Sequence, residues 1–567
     1  MATPPLPPRH LVSPAAVWMA VAVAVCVLAV LPVLGVALIA TGSSDGLWSH
    51  LVANVLPRAT VDTLILMAGV GLLVTVVGTG CAWLVTACDF PGRRVLEWAL
   101  LLPLAVPTYI VAFCYADVLH PLGAGPTALR ALLGITNPRD LPLPDVRSMG
   151  GAIFVIGIVL YPYVYVPARA LFAMQAANVL EASRTLGASR WRTFRSVALP
   201  LAWPAIAAGT SLALMETLND IGASSFLGIQ TLTVSIYTTW LNRSSLVGAS
   251  QIAMLLLALV LLLVLVERGA RRGRRFAATA RQMRPLHPRP LSGTAGRITA
   301  LLVSLPVVLG FVVPVAHLAN EAAARVRFAG LSPVLFGEMV NTVILALIAT
   351  PITVLFGLVV AYAVRRSRRA AAVAVVRVAG LGYAVPGTVL AIGLVTALAT
   401  ADAWIGAVAR WATGVPTGLF LTASGAALIY AYVVRFLAIA ANGVEAGLAN
   451  IPTALDDAAS VLKADRLRTM VRIHVPILWP ALAAAGLLVF VDVMKELPAT
   501  LLLRPVGFET LATHVFAEAS RGTYEDGAVA ALLIVLAGLG PVVLLSRLGR
   551  PRHAGRPPGP EADVLRV

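Results

Sequence analysis

EASRTLGASRWRTFRSVALPLAWPAI (residues 181–206) recurs, altered but recognisable, as DDAASVLKADRLRTMVRIHVPILWPAL (residues 456–482). Leu199-Pro200 and Trp203-Pro204 match Val475-Pro476 and Trp479-Pro480 at a separation of 276. Earlier in each copy, Asp62-Thr63-Leu64 matches Asn341-Thr342-Val343, and Pro107 in PLAVPTYI matches Pro386 in GYAVPGTVL, both at a separation of 279. An indel of three residues reconciles the two registers. The chain therefore reads as a tandem duplication, and each copy sets its polar loop between long apolar runs.

Those runs decide the class. Of 567 residues, 59% are hydrophobic and 12% charged, against about 45–50% apolar and 25% charged in soluble domains. A soluble enzyme and a disordered chain are both excluded. A helix needs about 20 apolar residues to cross a bilayer core. Runs of that size fall at 15–40, 62–87, 95–119, 150–170, 201–225 and 250–266, then at 298–318, 341–364, 373–399, 417–439, 477–500 and 526–546. The first is too long for the core of a signal peptide and reads as a retained span. Six spans per copy is an even number, so both copies insert with one polarity, and a pathway at their interface is the natural consequence. The formal net charge of +17 follows the same plan. With the N-terminus inside, segments assigned to the cytoplasm hold most of the 43 lysines and arginines, including nine arginines and no acid in 268–297. The excess is a topology signal rather than a nucleic-acid footprint. The same count assigns Arg435 to the cytoplasmic side.

Residues 181–200 form the longest polar cytoplasmic loop of the first copy. Helix formers run from Glu181 to Leu186, and Gly187 offers a turn. Trp191, Phe194 and Val197 then share one helical face before Pro200 ends the helix. A short helical knob with an apolar stripe, outside the bilayer, suits docking into a groove of another protein. The second copy places Asp457-Ala458-Ala459 19 residues before Pro476, the spacing of Glu181 to Pro200, but has Lys463 where the turn glycine would be. No phosphate-binding loop is possible, because Lys463 is followed by Ala and Lys495 by Glu.

Polar residues also enter the spans. Glu216, Asn219 and Asp220 share a helix face, and Asp492, Lys495 and Glu496 hold the matching positions 276 residues on. Ionised groups near mid-bilayer cost about 2.5–3.5 kcal/mol each and face a bundle interior or an aqueous path. Two readings stay open here, an internally paired structural cluster or the lining of a pathway or its gate. Cys26, Cys81, Cys88 and Cys114 form no CxxC pair, and no HExxH occurs among eight histidines. No metal site is assigned.

Glu181-Ala182, Gly187 and Leu199-Pro200 resemble the EAA loop of binding-protein-dependent ABC importer permeases. ETLNDIG (216–222) and KELPATLLLRP (495–505) resemble the fused permeases of the ferric-iron branch. The resemblance implies an all-α integral membrane fold of twelve helices in two parallel six-helix repeats, of type I importer architecture. It divides the chain into repeats at 1–267 and 298–547, a basic cytoplasmic linker at 268–297 and a disordered tail at 548–567. It implies a bacterial inner-membrane permease, not itself an enzyme, with both termini cytoplasmic. Its partners would be two cytoplasmic ATPase subunits, which hold ATP and magnesium, and a periplasmic substrate-binding protein. The loops around Glu181–Pro200 and Asp457–Pro476 would couple to the ATPase. Thiamine and phosphonate permeases share the architecture, and a self-sufficient secondary transporter is the alternative from another class.

Overall fold

A computed structural model describes residues 14–135, 137, 145–174, 183, 185–271, 288–366, 380–415, 418–462 and 464–548. Most of the 268–297 linker and the tail after Leu548 lie outside these residues. Ten helices are long and apolar enough to span a membrane: Trp18–Ala40, Leu47–Ala87, Arg190–Asn219 and Leu246–Ala270, then Gly293–Ala329, Pro333–Arg365, Gly387–Thr413, Ala426–Ala449, Leu467–Met494 and Tyr524–Leu544. Two bent pairs, Arg93–Ala105 with Thr108–Val118 and Met149–Leu160 with Pro162–Ala173, raise the number to 12. Each expected span overlaps one of these. The described extended structure is a two-residue parallel pair, Cys88–Asp89 with Arg289–Pro290.

Proline governs the breaks. The third span bends by 93° between Ala105 and Thr108. There Val106 is extended and Pro107, at φ −57° and ψ 147°, caps the next helix. Pro386 repeats this at φ −58° and ψ 143°, so the described helix of the ninth span runs Gly387–Thr413 rather than over the expected 373–399. A second proline device corrects the sequence reading. Pro200 does not end a helix; Arg190–Asn219 runs through it. A π-helical turn, Phe194–Ala198, lies just ahead of Pro200, and others stand ahead of Pro57 (Leu51–Val55), Pro314 (Val308–Val312) and Pro476 (Met470–His474). A proline ring collides with the carbonyl four residues back. The wider turn moves that carbonyl aside, and the helix continues with a bend instead of stopping.

The duplication is visible in single hydrogen bonds. Thr63 Oγ1 donates to Ala59 O (2.6 Å) and accepts from Leu232 N (3.0 Å). Thr342 Oγ1 donates to Glu338 O (2.8 Å) and accepts from Leu511 N (2.9 Å). The second pair of contacts stands 279 residues after the first, so a second three-residue indel restores the early register after Glu496.

In space, the halves exchange helices. Ala22, Val25, Cys26, Ala29 and Val36 of the first span share a core with Val389, Ile392, Val434 and Leu437 of the second half. The helices meet at Pro32, Gly35 and Gly393, where a Cβ on Gly393 would lie 1.8 Å from Pro32 O. Small residues let membrane helices approach this closely. Reciprocally, Val303, Val307, Leu318 and Ala322 of the seventh span, and Ala528–Val542 of the twelfth, join the core of the first half. Tyr115 OH donates to Leu309 O at 2.7 Å, and Tyr430 OH to Leu28 O at 2.8 Å, so both exchanged spans are fixed by a tyrosine of the other half.

Candidate pathway and docking loops

The fifth and eleventh spans stop short of their apolar runs. Arg190–Asn219 ends where Asp220 turns extended, and a short helix, Gly222–Phe226, restarts the chain. Val475–Met494 ends before Lys495, and Pro498–Leu503 follows. Each restart exposes backbone N–H groups inside the bilayer, where an unpaired donor is costly. The acids at the breaks supply the acceptors. Asp220 Oδ1 accepts from Ser224 N at 2.9 Å, and Thr108 Oγ1 donates to its other oxygen. Glu496 accepts from Ala499 N (2.9 Å), Thr500 N (3.1 Å) and Thr500 Oγ1 (2.7 Å). The expected spans 201–225 and 477–500 are therefore each a helix, a break and a second short helix.

Both breaks open onto one cavity of about 110 Å³ between the halves. All six intramembrane residues singled out in the sequence line it: Glu216, Asn219 and Asp220 from one half, Asp492, Lys495 and Glu496 from the other. The structure separates their roles. Asp220 and Glu496 are occupied as helix caps. Asn219 Oδ1 accepts from Gly387 N and from Arg435 Nη1, each at 2.8 Å. Glu216 accepts from Tyr383 OH at 2.5 Å. Asp492 and Lys495 pair at 2.8 Å and keep about a quarter of their side chains exposed. Asp492 and Lys495 are thus paired with each other and line the cavity at the same time. Four carboxyl groups thus surround two cations, a balance that suits a positively charged guest.

Arg435 is the residue that sequence reasoning misplaced. It is not a cytoplasmic charge. It sits inside Ala426–Ala449, 7% exposed, with Glu496 at 3.6 Å. Its isolation within an apolar run was the available signal. Gly387 lies against it, and a Cβ there would stand 2.5 Å from Arg435 Nη1. Tyr163 and Tyr383 form part of the wall toward a second, mostly apolar cavity of about 380 Å³, lined by Leu212, Ile439, Asn442 and Leu488 among others. Asp492 and Lys495 line both cavities, which therefore form a column running toward the loops.

At the loop end of the bundle, Glu181 and Ala182 lie outside the described residues, as does Lys463. Gly187 adopts φ +83°, the left-handed turn expected of it. Trp191 stands 67% exposed and Leu186 88%. Phe194 stacks on Trp191, with ring centroids 5.7 Å apart as the stripe expects, but is itself only partly exposed. Its ring packs 4.9 Å from Trp83 and 6.5 Å from Phe172, inside its own half, with Val197 also partly buried. The face of Trp191, Phe194 and Val197 therefore passes from exposed at Trp191 to partly buried at Phe194 and Val197. Leu199 is partly buried and Pro200 exposed. In the second loop Asp457 and Ala458 are exposed, Ala459 is buried and Pro476 is exposed. Val461 (81%) and Leu462 (80%) present the apolar surface. Asp456, beside the expected Asp457, is the anchor. It accepts from Arg365 Nε (3.0 Å) and Nη2 (2.8 Å), with His474 Nε2 at 3.3 Å. Arg365 also donates to Leu448 O and Ile451 O.

Comparison with known proteins agrees with this architecture. Residues 75–272 match the family described as the binding-protein-dependent transport system inner membrane component. An Fe(3+)-transport system permease protein of Haemophilus influenzae is 26% identical over 86% of this chain and 89% of its own length. A ferric transport system permease protein of Actinobacillus pleuropneumoniae is 24% identical over 84% of this chain and 69% of its own. A molybdenum transport system permease protein of Escherichia coli is 29% identical over 33% of this chain and 80% of its own.

Proposed function

We propose that this chain, a two-copy permease carrying the inner-membrane domain of binding-protein-dependent transport systems, imports ferric ion as the fused membrane subunit of an ABC importer. The observation that carries the reading is the single cavity built from the matched helix breaks of both halves, rich in carboxyl groups. Hard oxygen ligands suit a highly charged cation. Asp220 and Glu496 hold the breaks open, while Glu216 and the Asp492–Lys495 pair meet the cargo. The loop end faces the cytoplasm, where the loops around Glu181–Pro200 and Asp457–Pro476 seat on two ATPase subunits holding ATP and magnesium. A periplasmic binding protein delivers ferric ion at the opposite end. ATP-driven closure of the ATPase pair moves the loops and rocks the halves about the cavity, in the manner of alternating access.

The test is uptake of labelled ferric ion by proteoliposomes holding this chain with the ATPase and binding protein encoded beside it. ATP-dependent uptake is expected, falling more than tenfold in Glu216→Ala and Asp492→Ala. ATP-independent uptake by the chain alone would overturn the importer reading. Uptake of thiamine or a phosphonate with no ferric ion would overturn the cargo and leave the architecture standing.

A further inference from the structure

At the end of the bundle remote from the loops, the broken third span meets the exchanged seventh. There Asp117, His317 and Glu321 bring two carboxylate oxygens and a ring nitrogen within 4.8 Å of one another. His317 and Glu321 lie one turn apart on Val313–Ala329 and so share a face. Asp117 comes from Thr108–Val118 of the other half. The His317 side chain is 10% exposed. Its Nε2 has no hydrogen bond although Asp117 Oδ2 lies 3.0 Å away. Two such atoms, close but out of hydrogen-bond alignment, point at a common centre rather than at each other. Ligands bonded to a first-row metal at about 2.0–2.2 Å stand about 3.0–3.5 Å apart, and the Asp117–His317 pair already has that spacing. Asn320 Nδ2 donates to Glu321 Oε1 at 3.1 Å, an orienting contact of the kind that supports metal ligands. Cys114, one turn before Asp117, donates to Pro314 O and is not a fourth ligand.

We propose that Asp117, His317 and Glu321 form a site for a divalent first-row transition-metal ion across the seam between the halves. One imidazole and two carboxylates, without thiolate, fit Mn²⁺, Fe²⁺ or Zn²⁺ and neutralise the ion's charge. The site is separate from the central cavity and independent of the cargo. Thr108, at the other end of the same short helix, bonds Asp220, so the ion fixes the helix that leads to the break. The matching positions of the other copy, Leu38, Gly42 and Thr396, offer no counterpart.

The experiment uses the purified full-length chain in detergent, stripped with chelator and titrated with Zn²⁺ or Mn²⁺. Bound metal is read by equilibrium dialysis and elemental analysis, and stability by thermal unfolding. One ion per chain is expected, with a Tm that rises with metal concentration. Asp117→Asn, His317→Gln and Glu321→Gln should each weaken binding by more than about 100-fold, beyond the loss seen for outer-shell partners. Glu338→Gln, which removes a different histidine–carboxylate contact, should leave binding unchanged. If His317→Gln does not fold, the two near-isosteric carboxylate variants decide. Absence of binding to the wild-type chain, or wild-type binding by those variants, overturns the site.

Discussion

At the first loop, Phe194 is wedged near Trp83 and Phe172, and no ion pair joins it to the bundle among the described residues. At the matching second loop, Asp456 gathers Arg365 and His474 in a buried ionic cluster. The first copy has Thr86, Leu180 and Ala198 at those positions. The pattern repeats at the other end of the bundle, where His514 and Glu338 of the second half lie 2.8 Å apart and the first half has Ser235 and Ala59. In the central cavity both cations, Arg435 and Lys495, again belong to the second half. At these matched positions one backbone plan is thus held with charge in the second half and without it in the first, whose own ion pairs, such as Arg169 with Glu97, lie elsewhere. Geometry was kept through the duplication while the forces holding it were exchanged.

The sharpest way to break this comparison is Asp456→Ala. It strands Arg365 in a buried site and should cost about 3–5 kcal/mol, measured by chemical denaturation in detergent. A cost below 1 kcal/mol would mean that the second loop is not held by charge. Next, Phe194→Ala should cost about 2 kcal/mol, below the 3–5 of a fully buried ring, with no dependence on salt. Gly187→Ala forces an alanine into left-handed geometry at about 1 kcal/mol, while Lys463→Gly should leave stability nearly unchanged. The smallest effect is in pH. Its contact with Glu338 holds the His514 pKa above the usual histidine value. The stabilisation is therefore complete below about pH 6.5, the unfolded value, and is lost as pH rises through the higher folded value. Hydrogen exchange over Leu511–Arg521 should quicken across that window, and over Leu232–Leu241 it should not. Equal responses of the two helices would remove the contrast at that end.

Spans and repeat were legible because hydropathy and residue spacing act locally and leave a mark in every copy. The cavity was half legible. Glu216, Asn219, Asp220, Asp492, Lys495 and Glu496 stood out because charge is rare in apolar runs, but their division into caps and cavity-facing groups depends on where the helices stop. Nothing local announces the partnership of Arg435 with Asn219, 216 residues earlier. The inward contacts of Phe194 stayed hidden for a related reason, since Trp83 and Phe172 belong to other spans. The Asp117–His317–Glu321 cluster joins residues from two halves through an exchanged helix, and no spacing rule spans such a gap.

The exchanged opening spans have a bearing on why the two copies share one polypeptide. Each half already embraces the other, so interlocking does not require a peptide bond between them, and separate half-length chains would still find the grip at Pro32 and Gly393. What covalent fusion adds is a fixed stoichiometry of one first copy to one second. Two identical subunits must carry every substitution twice. Here a buried arginine such as Arg435 enters the central cavity once, facing Asn219 where a symmetric dimer of second copies would set a lysine, the match of Asn219 being Lys495, and the seam became free to accept groups that a symmetric dimer would have forced into mutual repulsion.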